Sequence, residues 1–260
     1  MIMTYENGLH FTDVGKGEIT LVFLHYFGGS LNTWNKVIPE LSHQFRCIAI
    51  DLPGFGNSPE SKIFSVSNCA QEVARVISLL ALKQYSLVGH SMGGKIALSL
   101  AALQPSGLAS LILIAPSPPT PEPINDKERT QMLNASGDPS ALQTLLSHVV
   151  AQPLAIDDMA NAVADNMQVS YATWNWWILR GSREDISHQI SAVSVQVLII
   201  SGAKDPKFSS NFLKKQMIKY FPSATFTEIP EAGHLIPIEA PVTVAKAIKK
   251  FIEVRQKHVL

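Results

Sequence analysis

The feature that most constrains this chain is the stretch Tyr85-Ser86-Leu87-Val88-Gly89-His90-Ser91-Met92-Gly93-Gly94. The apolar pair Leu87-Val88 leads into Gly89-His90-Ser91-Met92-Gly93, a G-x-S-x-G sequence, and a helix-like run over 95–103 follows. Strand, sharp turn and helix in that order hold a serine on strained backbone with its hydroxyl lifted clear of the sheet. A Cβ two positions before or after Ser91 would collide with the neighbouring strand or helix, which accounts for both glycines. The helix points its N-terminus at the serine oxygen and favours negative charge there. A glycine-rich loop before a core helix is the plainer reading, and it leaves a polar Gly-His-Ser between two apolar segments unexplained. Ser91 is therefore the candidate nucleophile.

At 260 residues and 46% hydrophobic content, the chain has room for one large α/β domain with an insertion. Its 21 basic and 21 acidic residues balance, which leaves no footprint for nucleic acid or an acidic membrane. Cys47 and Cys69 fall in a strand-like and a helix-like run without metal-ligand spacing, and two buried free thiols are expected. The N-terminus lacks the basic region and long apolar core of a signal peptide, and no run reaches transmembrane length. A soluble cytoplasmic protein is the expectation, with no metal, no cofactor, and a small-molecule substrate as partner.

Apolar runs predict strands over 9–14, 20–24, 45–50, 108–115, 195–201 and 225–229, besides the one that enters the elbow. Helical patterns fall over 33–41, 65–81, 209–220 and 241–253. Their alternation predicts an α/β fold, a mostly parallel sheet covered by helices on both faces. The alternation breaks after Ala115, where Pro116-Ser117-Pro118-Pro119-Thr120-Pro121-Glu122-Pro123 admits neither regular helix nor interior strand. Beyond it, helical signals over 141–150, 156–169 and 171–179 predict a helical cap. Residues 1–115 and 190–260 thus form the core, and 116–189 the insertion, which roofs the sheet edge carrying Ser91. Trp174, Trp176 and Trp177 lie in the insertion, either as its own core or with at least one indole facing a ligand. With Tyr26, Phe27 and Leu235 they are the candidate pocket residues, in a pocket apolar except at the catalytic groups.

A nucleophilic serine needs a base to take its proton and a carboxylate to orient that base. Asp205 follows a buried strand in Gly202-Ala203-Lys204-Asp205-Pro206, and His234 follows the last strand in Glu231-Ala232-Gly233-His234. Both fall on the sheet edge of Ser91, where ligand sites of such sheets gather. The loop His25-Tyr26-Phe27-Gly28-Gly29 follows another buried strand; either it is a simple strand-to-helix turn, or the Phe27 and Met92 N–H groups bind an oxyanion formed at Ser91. Asp51, in the turn-dense Asp51-Leu52-Pro53-Gly54-Phe55-Gly56, is expected to bond nearby backbone N–H groups. His25 is expected to brace the oxyanion loop and His90 to point away from the nucleophile, while His10, His43, His148, His188 and His258 are expected to be surface or packing residues.

Over essentially its full length the chain resembles the α/β-hydrolase fold family, on the strength of His25-Tyr26-Phe27-Gly28-Gly29, Asp51 to Ser58, Gly89 to Gly94, Gly202 to Asp205 and Gly233-His234. The resemblance is to the branch with a serine nucleophile and a helical cap, which includes esterases, lactonases and perhydrolases. It implies a cofactor-independent hydrolase that cleaves a small or medium ester, lactone or thioester through an acyl-enzyme. Carbon–carbon bond hydrolysis or perhydrolysis with the same triad is the alternative, and a ligand receptor that retains the triad a remoter one. In one departure, the family commonly has His-Gly where this chain has His25-Tyr26, which places a side chain in the oxyanion loop. Serine at the nucleophile position also differs from the dehalogenase and epoxide hydrolase branches, which use aspartate.

Overall fold

Strands such as Thr20–Leu24 and Tyr85–His90 carry no polar alternation and are buried along their whole length, so both faces of their sheet must be covered. The computed structural model describes residues 2–4 and 8–257, with side chains described over 8–255; His258 lies outside the described residues. Among the described residues eight strands form one sheet: β1 Ile2–Thr4, β2 His10–Val14, β3 Thr20–Leu24, β4 Arg46–Ile50, β5 Tyr85–His90, β6 Leu108–Ile114, β7 Gln196–Gly202 and β8 Thr225–Ile229. Their order is β1-β2-β4-β3-β5-β6-β7-β8. The β1–β2 and β2–β4 pairs are antiparallel and all the others parallel.

On one face lie helices α2 (Val66–Leu79), α3 (Met92–Ala102) and α8 (Ser210–Met217), which bury Val73, Ile77, Ile96, Leu100 and Met217. On the other, α1 (Ile38–Leu41) and α10 (Pro241–Lys257) bury Leu41, Val244, Ile248 and Ile252. The chain leaves β3 to form β4 on one side and returns to form β5 on the other. The loops after β3 and β5 therefore part at their C-terminal ends and open a crevice, the usual place for a ligand in such a sheet.

Between β6 and β7 the regular elements are helical: α4 Asp126–Asn134, α5 Pro139–Ser147, α6 Ile156–Met167, α7 Tyr171–Leu179 and two short 3-10 turns. A capping box of Asn125 and Glu128 starts α4, while Asp138 and Ser170 cap α5 and α7. The segment is tied back to the rest of the chain at several points. The Glu184 carboxylate accepts from Val66 N at the start of α2, where the helix dipole favours a negative charge. Asn32 Nδ2 donates to Asp165 at 3.0 Å, and Lys36 pairs with Asp158 at 2.6 Å.

One local expectation changes, and some short elements carried no signal in the sequence. The helix over 33–41 is instead a 3-10 turn, Leu31–Trp34, followed by the short α1. Pro39 is the cause: it has no N–H to give, and its ring would strike the carbonyl four residues back. Helix α9 (Ile236–Glu239) and strand β1 were not anticipated, since elements this short carry too few positions to show a period. Helix α4 lacked an apolar stripe and buries only Arg129 of its own residues.

Candidate active site

Ser91 sits between β5 and α3 with φ 51° and ψ −115°, a backbone conformation that an L-residue holds only when its surroundings impose it. The two flanking glycines show what imposes it. A Cβ at Gly89 would lie 2.5 Å from Gly93 O, and one at Gly93 would lie 2.4 Å from Leu24 O. Helix α3 thus begins hard against β3 and β5, and its first N–H groups face the serine. Gly93 N donates to His25 O, and Gly94 N and Lys95 N turn back to Ser91 O.

The Ser91 hydroxyl donates to His234 Nε2 at 2.9 Å, and His234 Nδ1 donates to Asp205 Oδ2 at 2.8 Å. Each of the three residues is only 4% exposed. The other Asp205 oxygen accepts from Lys207 N at 2.7 Å and Phe208 N at 2.9 Å. Burial alone pushes this carboxyl up, but His234 and the two backbone donors outweigh it and hold the group below its usual range. An ionised Asp205 fixes the tautomer with the proton on Nδ1, which leaves Nε2 free to accept. The loop of His234 is pinned at its backbone too. His234 N donates to Val149 O at 2.7 Å, and His90 Nε2 donates to His234 O at 2.8 Å. Glu239 gathers Gly233 N and Ala151 N on one oxygen.

The loop after β3 is held from behind. His25 is fully buried, donates from Nδ1 to Tyr26 O at 2.7 Å and accepts from Leu52 N on Nε2 at 3.0 Å. Burial keeps this imidazole below its usual range against the pull of Asp51, in keeping with that neutral bonding pattern. Asp51 accepts from Leu31 N, Asn57 N and His10 Nδ1, so it binds the loops together and is remote from His234's hydrogen bonds. His10 is therefore a buried brace. Among the described residues neither Phe27 N nor Met92 N donates to a protein acceptor; Met92 opens α3 directly after Ser91, and Phe27 lies in the loop after β3.

Ser91 and His234 open on a cavity of about 300 Å³ whose walls come from both the sheet's loops and the helical insertion. Tyr26, Phe27, Leu235 and Trp174 line it, as do Leu142, Leu146 and Asn166. Trp176 and Trp177 do not. Their indoles pack against each other at 5.7 Å and against Phe64 and Phe27, inside the core. Phe27 packs, tilted by 44°, on Trp174 with ring centres 4.7 Å apart, so the loop after β3 is seated against the insertion. The expectation of an apolar wall holds only in part. Glu128, Gln131, His148 and Lys207 also line the cavity, and they come from the polar face of α4, the end of α5 and the Asp205 loop. His148 thus belongs to the cavity lining. Asn166, with its amide donating to Ala162 O, had no sequence signal at all.

A larger groove of about 950 Å³ between α5 and α6 contains no ionisable side chain and lies away from Ser91. Among the described residues no cluster of three or more His, Cys, Asp or Glu could hold a metal ion, and no helix is long and apolar enough to cross a membrane. Cys47 and Cys69 are buried free thiols.

Residues 19–155 match the family described as alpha/beta hydrolase fold. The chain is 30% identical to the dihydrolipoyllysine-residue acetyltransferase component of the acetoin cleaving system of Pseudomonas putida; the match takes in 94% of this chain but 65% of that protein's length. It is 28% identical to the uncharacterized hydrolase YugF of Bacillus subtilis (strain 168), over 91% of each chain. An esterase from Exiguobacterium antarcticum, at 20% identity, superposes with a TM-score of 0.87 over 97% of this chain and 98% of its own. The sharp strand–turn–helix after β5, the order of the strands and the matched sequence agree: the chain belongs to the α/β-hydrolase fold family.

Proposed function

We propose that this chain is a serine hydrolase that cleaves a compact carboxylic ester through an acyl-enzyme on Ser91. The observation that carries the reading is the unbroken line of hydrogen bonds from Ser91 Oγ through His234 to Asp205, with the serine end facing the cavity. As Ser91 Oγ attacks the ester carbonyl, its proton passes to His234 Nε2, and Asp205 steadies the imidazolium. The carbonyl oxygen becomes an oxyanion, for which the Phe27 and Met92 N–H groups and the N-terminus of α3 are the available donors. His234 then returns its proton to the departing alcohol. Water enters, gives a proton to His234, and attacks the acyl carbon; collapse releases the acid and restores the Ser91 hydroxyl.

Residues 116–189 act as a cap in this reading, because they supply much of the cavity wall. At about 300 Å³ the cavity sits at the small end of ligand sites, which favours short or compact acyl groups over long chains. The test is turnover of a p-nitrophenyl ester series from acetate to decanoate by the native chain and by Ser91→Ala. Native turnover highest on the short esters, with a loss of about 10⁴-fold or more in Ser91→Ala, is expected. A folded Ser91→Ala protein that keeps about a tenth of the rate would refute the assignment.

A further inference from the structure

Two cations, one of them fully buried and the other half-buried, flank the connector that leaves β6, and the proton transfers above use neither. Lys95 lies in α3, one helical turn beyond Ser91, and none of it is exposed. Its ammonium donates to the Thr120 carbonyl at 3.1 Å. Lys207 lies two residues beyond Asp205, whose carboxylate accepts from its backbone N–H. Its ammonium stands 3.4 Å from Oε2 of Glu122, a side chain only 1% exposed, in an ion pair too poorly directed to be a hydrogen bond.

Stability does not account for this arrangement. Taking the Lys95 ammonium out of water is unfavourable unless other partners replace the lost hydration, and its three donors have the one carbonyl. A methionine would fill the same space without that penalty. What the groups share is their position. Lys95 holds the connector at Thr120, and Lys207 holds it at Glu122. The same connector is fixed by Ser117 N to Ser91 O at 3.0 Å and by Glu122 N to Ser182 O at 2.8 Å. Ser91 and Asp205 follow β5 and β7, which are separated in the sheet by β6. His234 bridges them with two short hydrogen bonds, and this leaves little tolerance in their separation.

We propose that Lys95, Glu122 and Lys207 form an electrostatic clamp across the C-terminal end of β6 that sets the spacing between the Ser91 elbow and the Asp205 loop. All three are positioning residues, and the proposal rests on the reading of Ser91 as nucleophile. Burial pulls the Lys95 ammonium down to about 8, against the opposing pull of Glu122 on the connector and of Glu184 and Asp185 at the end of the insertion. The clamp therefore loses one of its cations at mildly alkaline pH.

The test is the rate at which a fluorophosphonate labels the protein between about pH 6 and about pH 10, which needs nucleophile and base but no natural substrate. The native chain, Lys95→Met and Glu122→Gln are compared, each checked by near-UV circular dichroism. Native labelling should decline above pH about 8 as Lys95 deprotonates. Lys95→Met should abolish the decline and label about tenfold more slowly on the plateau, since small misplacements of reacting groups carry large rate penalties. Glu122→Gln should keep the decline but bring it to lower pH, because Lys95 loses a favourable neighbour; that shift alone carries the test if Lys95→Met does not fold. Folded variants labelled within about twofold of the native rate at every pH, with the native profile, would overturn the clamp alone. A native chain that is not labelled at all would overturn the nucleophile, and the clamp with it.

Discussion

Protonation of His90 probes how dry the interior behind the site is. None of this residue is exposed; it packs on Tyr26 with ring centres 5.3 Å apart, and its Nε2 donates to the His234 carbonyl. Burial first, and then the neighbouring His234, bring its pKa from 6.5 down to about 3. A native value below the unfolded one means that the unfolded chain takes up the proton first as the pH falls. The stability contribution is whole above 6.5 and is lost progressively until the pH reaches about 3. At about pH 4.5 the gap is about two units, so at about 1.4 kcal/mol per unit this one group removes about 3 kcal/mol. That is a large share of the ~5–15 kcal/mol that holds a domain folded. His90→Gln keeps an amide donor for the His234 carbonyl and removes the titration. Urea unfolding of both proteins at about pH 7 and about pH 4.5 should show the native chain losing about 3 kcal/mol more than the variant. Any constant penalty from poorer packing cancels in that comparison. Equal losses would refute the reasoning, since His90 would then accept its proton as readily in the native state as in the unfolded chain.

Two further outcomes follow from the site geometry. Asp205→Asn should lower turnover about 10⁴-fold, as an amide cannot hold His234 in the required tautomer; Glu231 pairs with Lys204 at the surface and offers no replacement, so a nearly native rate would move the acid elsewhere. Trp174→Ala should shift the preferred acyl length, whereas Trp176→Ala and Trp177→Ala should leave the length profile unchanged and destabilise the fold by about 3–5 kcal/mol; a shifted profile in either of the latter would put its indole in the cavity.

The sequence carried the sheet because the strands that form its centre are mostly apolar and show no polar alternation, and a buried parallel strand leaves that signature. It carried the elbow because Gly89, Ser91 and Gly93 answer a steric demand that few other residue sets meet. Asp205 and His234 were legible from their places just after strands β7 and β8. What was not legible depends on contacts between distant segments. Asn166 enters the cavity from α6, His148 from the end of α5, and Glu239 ties the His234 loop to residue 151; no spacing in the sequence announces any of them. The three tryptophans show the same limit. Composition put them in the insertion, and only the packing of α7 separates Trp174, which faces the cavity, from Trp176 and Trp177, which do not.

The proposed chemistry turns on Ser91 being the covalent nucleophile. Brief reaction with a fluorophosphonate, which phosphonylates a reactive serine Oγ with loss of fluoride, followed by digestion and peptide mass spectrometry, reads this directly. One adduct per chain is expected, on the peptide that contains Ser91, with none on Ser91→Ala and much slower formation on His234→Ala. An adduct on any other residue, or labelling of Ser91→Ala at the native rate, would contradict the account.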